Sequence, residues 1–168
     1  MNRHGFTLIE LLVVITLIGI VLAIATLNFS SMSRKAGIER QTREILADLN
    51  TARLDSIYRK QRHALILQPT SYIMKRYSSQ DEPDTNGGDL TTGIVLSKTL
   101  PYQITTPSGG SLAGVFTEFD TRGFVANVGG NTTICVNPMY SGAAFDCIAV
   151  SAGRTNIGIM QGGSCVQQ

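Results

Sequence analysis

Apolar residues run almost unbroken from Phe6 to Leu27, and the single charge inside that run is Glu10. At about 1.5 Å rise per residue, a helix of 22 residues reaches roughly 33 Å, enough to cross a bilayer core. A carboxylate in such a run costs about 2.5–3.5 kcal/mol on insertion scales, so it needs a partner or a task. From Arg34 the pattern becomes amphipathic. Ile38, Ile45, Leu49, Ala52 and Ile57 recur at helical spacing, with Leu46 and Leu54 beside them and charges on the opposite positions. The two stretches predict one long helix ending near Arg62, with Gly37 as the weak point between its halves. Its amphipathic half needs a sheet or another helix to cover the apolar stripe.

Beyond Arg62 the period changes from helix to strand. His63–Gln68 and Ser71–Tyr77 are rich in β-formers and flank Pro69-Thr70, a hairpin signal. Further strands are expected at Gly93–Leu100, Tyr102–Thr105, Val115–Asp120, Phe124–Val128, Thr132–Val136, Cys147–Ser151 and Thr155–Met160. Turn-rich clusters at Asp84–Gly88, Pro107–Gly110, Gly129–Asn131 and Asn137–Ala143 separate them. Short strands with such turns predict antiparallel sheet. The expected fold class is therefore α+β, a long N-terminal helix packed on an antiparallel β-sheet head. The head, 63–168, is long enough for one small domain with its own core and too short for two.

Charge is unevenly placed. The formal net charge is +2, but Arg34–Arg62 holds eight Arg/Lys against Glu39, Glu44, Asp48 and Asp55, a balance of +4. The head carries five Arg/Lys against seven acids, a balance of −2. A solvated helix face accounts for the basic stretch better than a nucleic-acid footprint does. Within it Glu39 and Arg43 form a supporting i,i+4 pair, whereas Glu44 and Asp48 form an opposing one.

The string Arg3, Gly5, Phe6, Thr7, Leu8, Ile9, Glu10, with the apolar run behind it, resembles the cleavage site of type IV prepilins and pseudopilins. A secretory signal peptide fits poorly, because the apolar stretch exceeds the usual 7–15 residues and no small-residue cleavage pattern follows it. The resemblance implies that a membrane-embedded prepilin peptidase cuts after Gly5 and methylates the new N-terminus at Phe6. It also implies that Glu10 pairs with the terminal amine of a neighbouring subunit during assembly. Residues 1–5 would be the leader, 6–27 the transmembrane and filament-core helix, 28–62 its amphipathic continuation. Partners would be the peptidase, other pilins or pseudopilins through the N-terminal helix, and the bacterial inner membrane, with the head in the periplasm. Many major pilins carry a proline where this chain has Leu27, so the more continuous stem points to a minor subunit. Phe116–Gly123 and Ile148–Arg154 resemble sheet motifs of the minor branch that includes the GspH pseudopilins of type II secretion and the FimT minor pilins.

Some FimT proteins bind DNA through a Gly-Arg-x-Arg motif near this point. Here the sequence is Gly153-Arg154-Thr155-Asn156, without the second arginine, and an acidic head offers few phosphate contacts. A DNA contact by Arg154 is the alternative reading. The plain one is a turn between two terminal strands, with Gly153 at a special backbone position and Arg154 facing water.

Cys135, Cys147 and Cys165 all lie in the head, as an oxidising periplasm would suit. Three cysteines allow one bond and leave one thiol. Cys135 and Cys147 can face each other across the hairpin whose loop is Asn137–Asp146. Alternatively Cys165 ties down the C-terminal tail, which Gly162-Gly163 would otherwise leave mobile. A bond involving Cys135 is favoured.

Little in the sequence points to catalysis. After cleavage His63 is the one histidine, at a helix–strand junction with no nucleophile motif, and a capping or surface role suits it. Ser151 lacks a Gly-x-Ser-x-Gly setting, and the paired glycines follow no phosphate-loop pattern. The chain is read as no enzyme and without a cofactor. One ligand enters as a weak candidate: Asp81, Asp84, Asn86 and Asp89 place oxygen side chains at calcium-loop spacings. Gly93 stands where a loop-closing Glu is needed, so an exposed acidic turn is the simpler expectation.

Overall fold

The computed structural model describes residues 7–77, 93–126, 132–137 and 142–167, with the side chains of 25–28 excepted. Its chain divides into two compact units, Met1–Arg34 and Lys35–Gln168. One helix, α1, runs from Leu8 to Arg59. In the first unit the described large apolar side chains are 45–82% exposed, and the stretch is long and apolar enough to cross a membrane. No proline interrupts α1, and Gly19 meets nothing within 4 Å of where a Cβ would stand.

In the second unit the stripe seen in the sequence is the buried face. Ile38, Ile45, Leu49 and Ala52 are fully buried, and Gln41, Thr42 and Ser56 share that face with satisfied polar groups. Leu54 and Ile57 depart from expectation: they are 65% and 38% exposed. α1 ends at Arg59, three residues before the expected end. Lys60 adopts the left-handed conformation (φ 53°), a common helix stop, and the Arg62 carbonyl accepts a sheet-type bond from the Tyr77 N–H at 2.9 Å. The sheet claims Arg62 before the helix can.

Among the described residues nine strands follow: β1 His63–Gln68, β2 Ser71–Arg76, β3 Ile94–Thr99, β4 Ile104–Thr105, β5 Phe116–Phe119, β6 Thr132–Val136, β7 Cys147–Val150, β8 Thr155–Gln161 and β9 Ser164–Gln167. They form two antiparallel sheets, ordered β3-β2-β1-β5 and β4-β6-β7-β8-β9. β1 and β2 make the hairpin expected around Pro69-Thr70, closed by the pair Gln68↔Ser71. The expected strand Phe124–Val128 is, within the described residues, a single bridge between Phe119 and Val125. β9 has no counterpart in the sequence reading. One hydrophobic cluster joins the helix stripe to Leu65, Leu67, Tyr72, Met74 and Phe119 of the first sheet. Ile104, Ile134, Val136, Ile148 and Val150 of the second sheet join it, with Leu112 and Ala143 from connecting segments. Burying each such side chain contributes about 1.5–3 kcal/mol.

Candidate functional site

The helix start is built from four residues in sequence order. Thr7 stands just outside α1 as its N-cap: its hydroxyl accepts the Glu10 N–H at 3.3 Å and its carbonyl accepts the Leu11 N–H at 3.2 Å. Thr7 and Glu10 therefore occupy the N-cap and N3 positions of a Thr-x-x-Glu capping sequence. Glu10 lies in the first helical turn, where a negative charge suits the helix dipole. Its carboxylate has no partner among the described residues, while Leu8 and Ile9 beside it are 82% and 66% exposed. A lone carboxylate on an uncovered apolar helix is the feature the sequence singled out. Gly5 and Phe6 lie outside the described residues.

The amphipathic half of α1 is clamped by polar contacts that single-residue reasoning missed. The Gln41 amide donates to the Tyr102 carbonyl at 2.7 Å and accepts the Tyr102 N–H at 2.9 Å. The Tyr102 ring covers Gly37 so closely that a Cβ there would meet the ring hydroxyl at 2.5 Å. Gly37 is thus a close-packing site within an unbroken helix. The opposing pair Glu44 and Asp48 is resolved from outside the helix, because Lys98 of β3 donates to Glu44 at 2.8 Å and to Asp48 at 2.7 Å. The Tyr72 hydroxyl also donates to Asp48. Burial, then that bond, push the Tyr72 hydroxyl well above its usual range, and the two carboxylates push Lys98 up. Two like charges four apart were the sequence signal for a missing cation. The supporting pair Glu39–Arg43 forms at 3.8 Å, and each member also grips the segment before β7. Glu39 accepts the Ala144 N–H at 2.9 Å, and Arg43 lies over the Phe145 ring.

At the far end of the helix Arg53 plays the same part. It donates to the Gly153 carbonyl at 3.1 Å and to the Thr155 hydroxyl at 2.9 Å, and it stacks on Phe119. Burial lowers its pKa, and its Nε has no partner among the described residues. These bonds hold the turn between β7 and β8 that carries Arg154. That turn differs from expectation in two respects. It is followed by β9, so its strands are not the terminal pair, and Gly153 does not take a positive φ. Gly123 does, at 83°, and a Cβ there would strike Ile57 at 2.7 Å. Arg154 is exposed as expected. Beside Gly153 of the same turn Phe124 is half exposed, with the Arg122 guanidinium 5.8 Å from its ring centre. Asp120 holds Arg122 through side chain and backbone. Burial works against the Asp120 charge, but N–H bonds from Phe124 and Arg122 outweigh it and leave the pKa lowered.

The cysteines correct the favoured pairing. Cys147 bonds Cys165, and Cys135 is a buried free thiol. The reason lies in β9, which the sequence did not reveal. β9 crosses Gly158 of β8 so closely that a Cβ would meet the Val166 carbonyl at 2.3 Å and the Cys165 sulfur at 3.0 Å. The absent side chain lets β9 reach Cys147. Burial first, then the Asp146 charge, push the Cys135 thiol up to about 12.

His63 is also corrected. It is fully buried at the start of β1, with Nδ1 3.0 Å from the Gln61 carbonyl and Nε2 without a partner among the described residues. Burial chiefly lowers its pKa, against the Gln61 bond and Asp55, which raise it. No group of three or more His, Cys, Asp or Glu is arranged to hold a metal ion among the described residues. The calcium candidates Asp81, Asp84, Asn86 and Asp89 lie outside them.

A family model described as the prokaryotic N-terminal methylation motif matches residues 1–26. No curated protein and no solved structure matches the chain significantly. The chain carries the signal of type IV prepilins, and its long N-terminal helix followed by antiparallel sheets fits a pilin-like protein. That motif implies processing by a prepilin peptidase, assembly with other pilins, and anchoring of the apolar helix in a membrane.

Proposed function

We propose that the chain is a minor pilin or pseudopilin of the GspH/FimT branch, a structural subunit of a type IV pilus or of a type II secretion pseudopilus. The observation that carries this reading is the uncovered apolar half of α1 with one unpartnered carboxylate at its start, inside the matched methylation motif. Prepilin peptidase cuts after Gly5 and methylates Phe6. The helix then sits in the bacterial inner membrane with the head in the periplasm. During assembly Glu10 pairs with the amine of a neighbouring Phe6, which removes the cost of a lone charge in an apolar setting. The chain works as a building unit and not as an enzyme. Gly5→Ala should leave an unprocessed precursor. Glu10→Ala should be processed normally yet fall several-fold in filament incorporation, read by immunoblotting sheared filaments. Full incorporation of Glu10→Ala would remove the role given to the carboxylate.

One observation favours a second reading, a DNA-binding minor pilin for uptake. Exposed Phe124 beside Arg122 and next to the turn of Arg154 offers a stacking face with flanking cations. The full chain in detergent should then retard single-stranded DNA, and Arg154→Ala should abolish the shift. Absence of any retardation at low salt would discard this reading.

A further inference from the structure

Four strands of the second sheet bring four sulfur atoms together. Cys135 of β6 and Cys147 of β7 are register partners, as are Met160 of β8 and Cys165 of β9. The Cys135 thiol lies 3.4 Å from the Met160 sulfur, and Cys147 is bonded to Cys165. The next pair along β6 and β7 is Val136 with Asp146, where the Val136 N–H donates to the Asp146 carbonyl at 2.7 Å. Hydrogen-bonded and non-hydrogen-bonded pairs alternate along an antiparallel ladder, so Cys135 and Cys147 occupy a non-hydrogen-bonded site. Such pairs have Cα atoms about 4.5 Å apart with side chains on one face, inside the range of about 4.4–6.8 Å that disulfides span. Cys147 therefore has a second cysteine within reach on its other side.

We propose that Cys135 and Cys165 are alternative partners of Cys147, and that thiol–disulfide exchange converts the head between a β7–β9 bond and a β6–β7 bond. In the exchange Cys135 loses its proton and its thiolate attacks the Cys147 sulfur. The Cys135–Cys147 bond forms as the Cys147–Cys165 bond breaks, and Cys165 leaves as a thiolate that takes up a proton. No oxidant or reductant is consumed. The product frees β9 from its covalent tie while leaving the core intact, because β9 supplies no residue to the hydrophobic cluster. β9 then keeps its pairing with β8 over four residues and the bond from the Asn156 amide to the Gln167 side-chain oxygen at 2.7 Å.

Burial sets the rate. A thiol held at about 12 has on the order of 10³-fold less thiolate at neutral pH than an ordinary cysteine. Exchange therefore waits for a local opening that lets water reach Cys135, which makes the β7–β9 isomer long-lived once formed.

The test uses the full chain in detergent, equilibrated with oxidised and reduced glutathione, quenched in acid and mapped by peptide mass spectrometry. Cys165→Ser should join Cys135 to Cys147 in most molecules, whereas Cys147→Ser should leave Cys135 and Cys165 as thiols or glutathione adducts. Free or glutathionylated Cys135 and Cys147 in Cys165→Ser would overturn the proposal. The unaltered chain supplies a check that needs no variant. Brief exposure to catalytic thiol in moderate urea, followed by alkylation, should move part of the label from Cys135 to Cys165, at least tenfold more than without urea. Label confined to Cys135 would contradict exchange.

Discussion

The two halves of α1 are built from the same backbone and answer to different solvents. From Leu8 to Ile24 every large apolar side chain is exposed, and polar contacts are local, such as Thr16 to its own helix. From Lys35 to Arg59 a narrow stripe is buried to zero exposure, and the flanking charges Glu39, Arg43, Glu44, Asp48 and Arg53 are engaged by strands or loops. Continuity of the helix thus says nothing about its partners. Side-chain chemistry assigns the first half to an apolar medium outside the chain and the second half to the head.

Truncating core residues should break this contrast most visibly. Leu49→Ala should destabilise the head by about 2–5 kcal/mol, while Leu17→Ala should leave denaturant unfolding of the head unchanged. Full chain in detergent, followed by near-ultraviolet circular dichroism, reads both. The two helix glycines should then respond with opposite sign. Gly37→Ala drives a methyl into the Tyr102 ring and should cost about 1–3 kcal/mol, whereas Gly19→Ala meets open space and should favour helix by about 1 kcal/mol. Equal effects at the two positions would erase the distinction. Lys98→Met strands Glu44 and Asp48 beside each other and should cost about 1–2 kcal/mol, discounted because Lys98 is partly solvated. In that variant Glu44→Gln should recover part of the loss.

The smallest effect concerns pH. Burial lowers the pKa of His63, so the unfolded chain binds its proton more readily than the folded one. Stability from this group is therefore full above about 6.5 and falls as pH drops from there through the lowered folded value. Replacing His63 by Asn should flatten the stability difference between pH 7.5 and pH 5.5. An unchanged slope would show that His63 is not the titrating group.

The sequence disclosed whatever rests on period and on local chemistry. Helical spacing marked Ile38, Ile45, Leu49, Ala52 and Ile57 as one face, of which all but Ile57 are buried, and β-rich runs around Pro69-Thr70 marked the first hairpin. The one acid of the apolar run was visible as a site because its cost is set by the residues around it in sequence. What stayed hidden depends on contacts between distant residues. Ser164–Gln167 is too short and polar to announce a strand, and it pairs only because Gly158 leaves room. That strand in turn decides which cysteine remains free. Arg53 lay in a stretch read as a solvated helix face, and nothing local shows that Gly153 and Thr155 converge on it, or that Glu44 and Asp48 converge on Lys98. His63 looked like a surface residue at a junction, whereas β2 and β5 flank its strand on both sides.

The most direct measurement is the intact mass of the membrane-extracted protein, with and without a co-expressed prepilin peptidase. The account predicts loss of Met1–Gly5 plus one methyl group when the peptidase is active, and the full-length mass when it is absent. A full-length, unmethylated chain in the presence of active peptidase would contradict it, leaving a membrane-anchored head with no place in a filament.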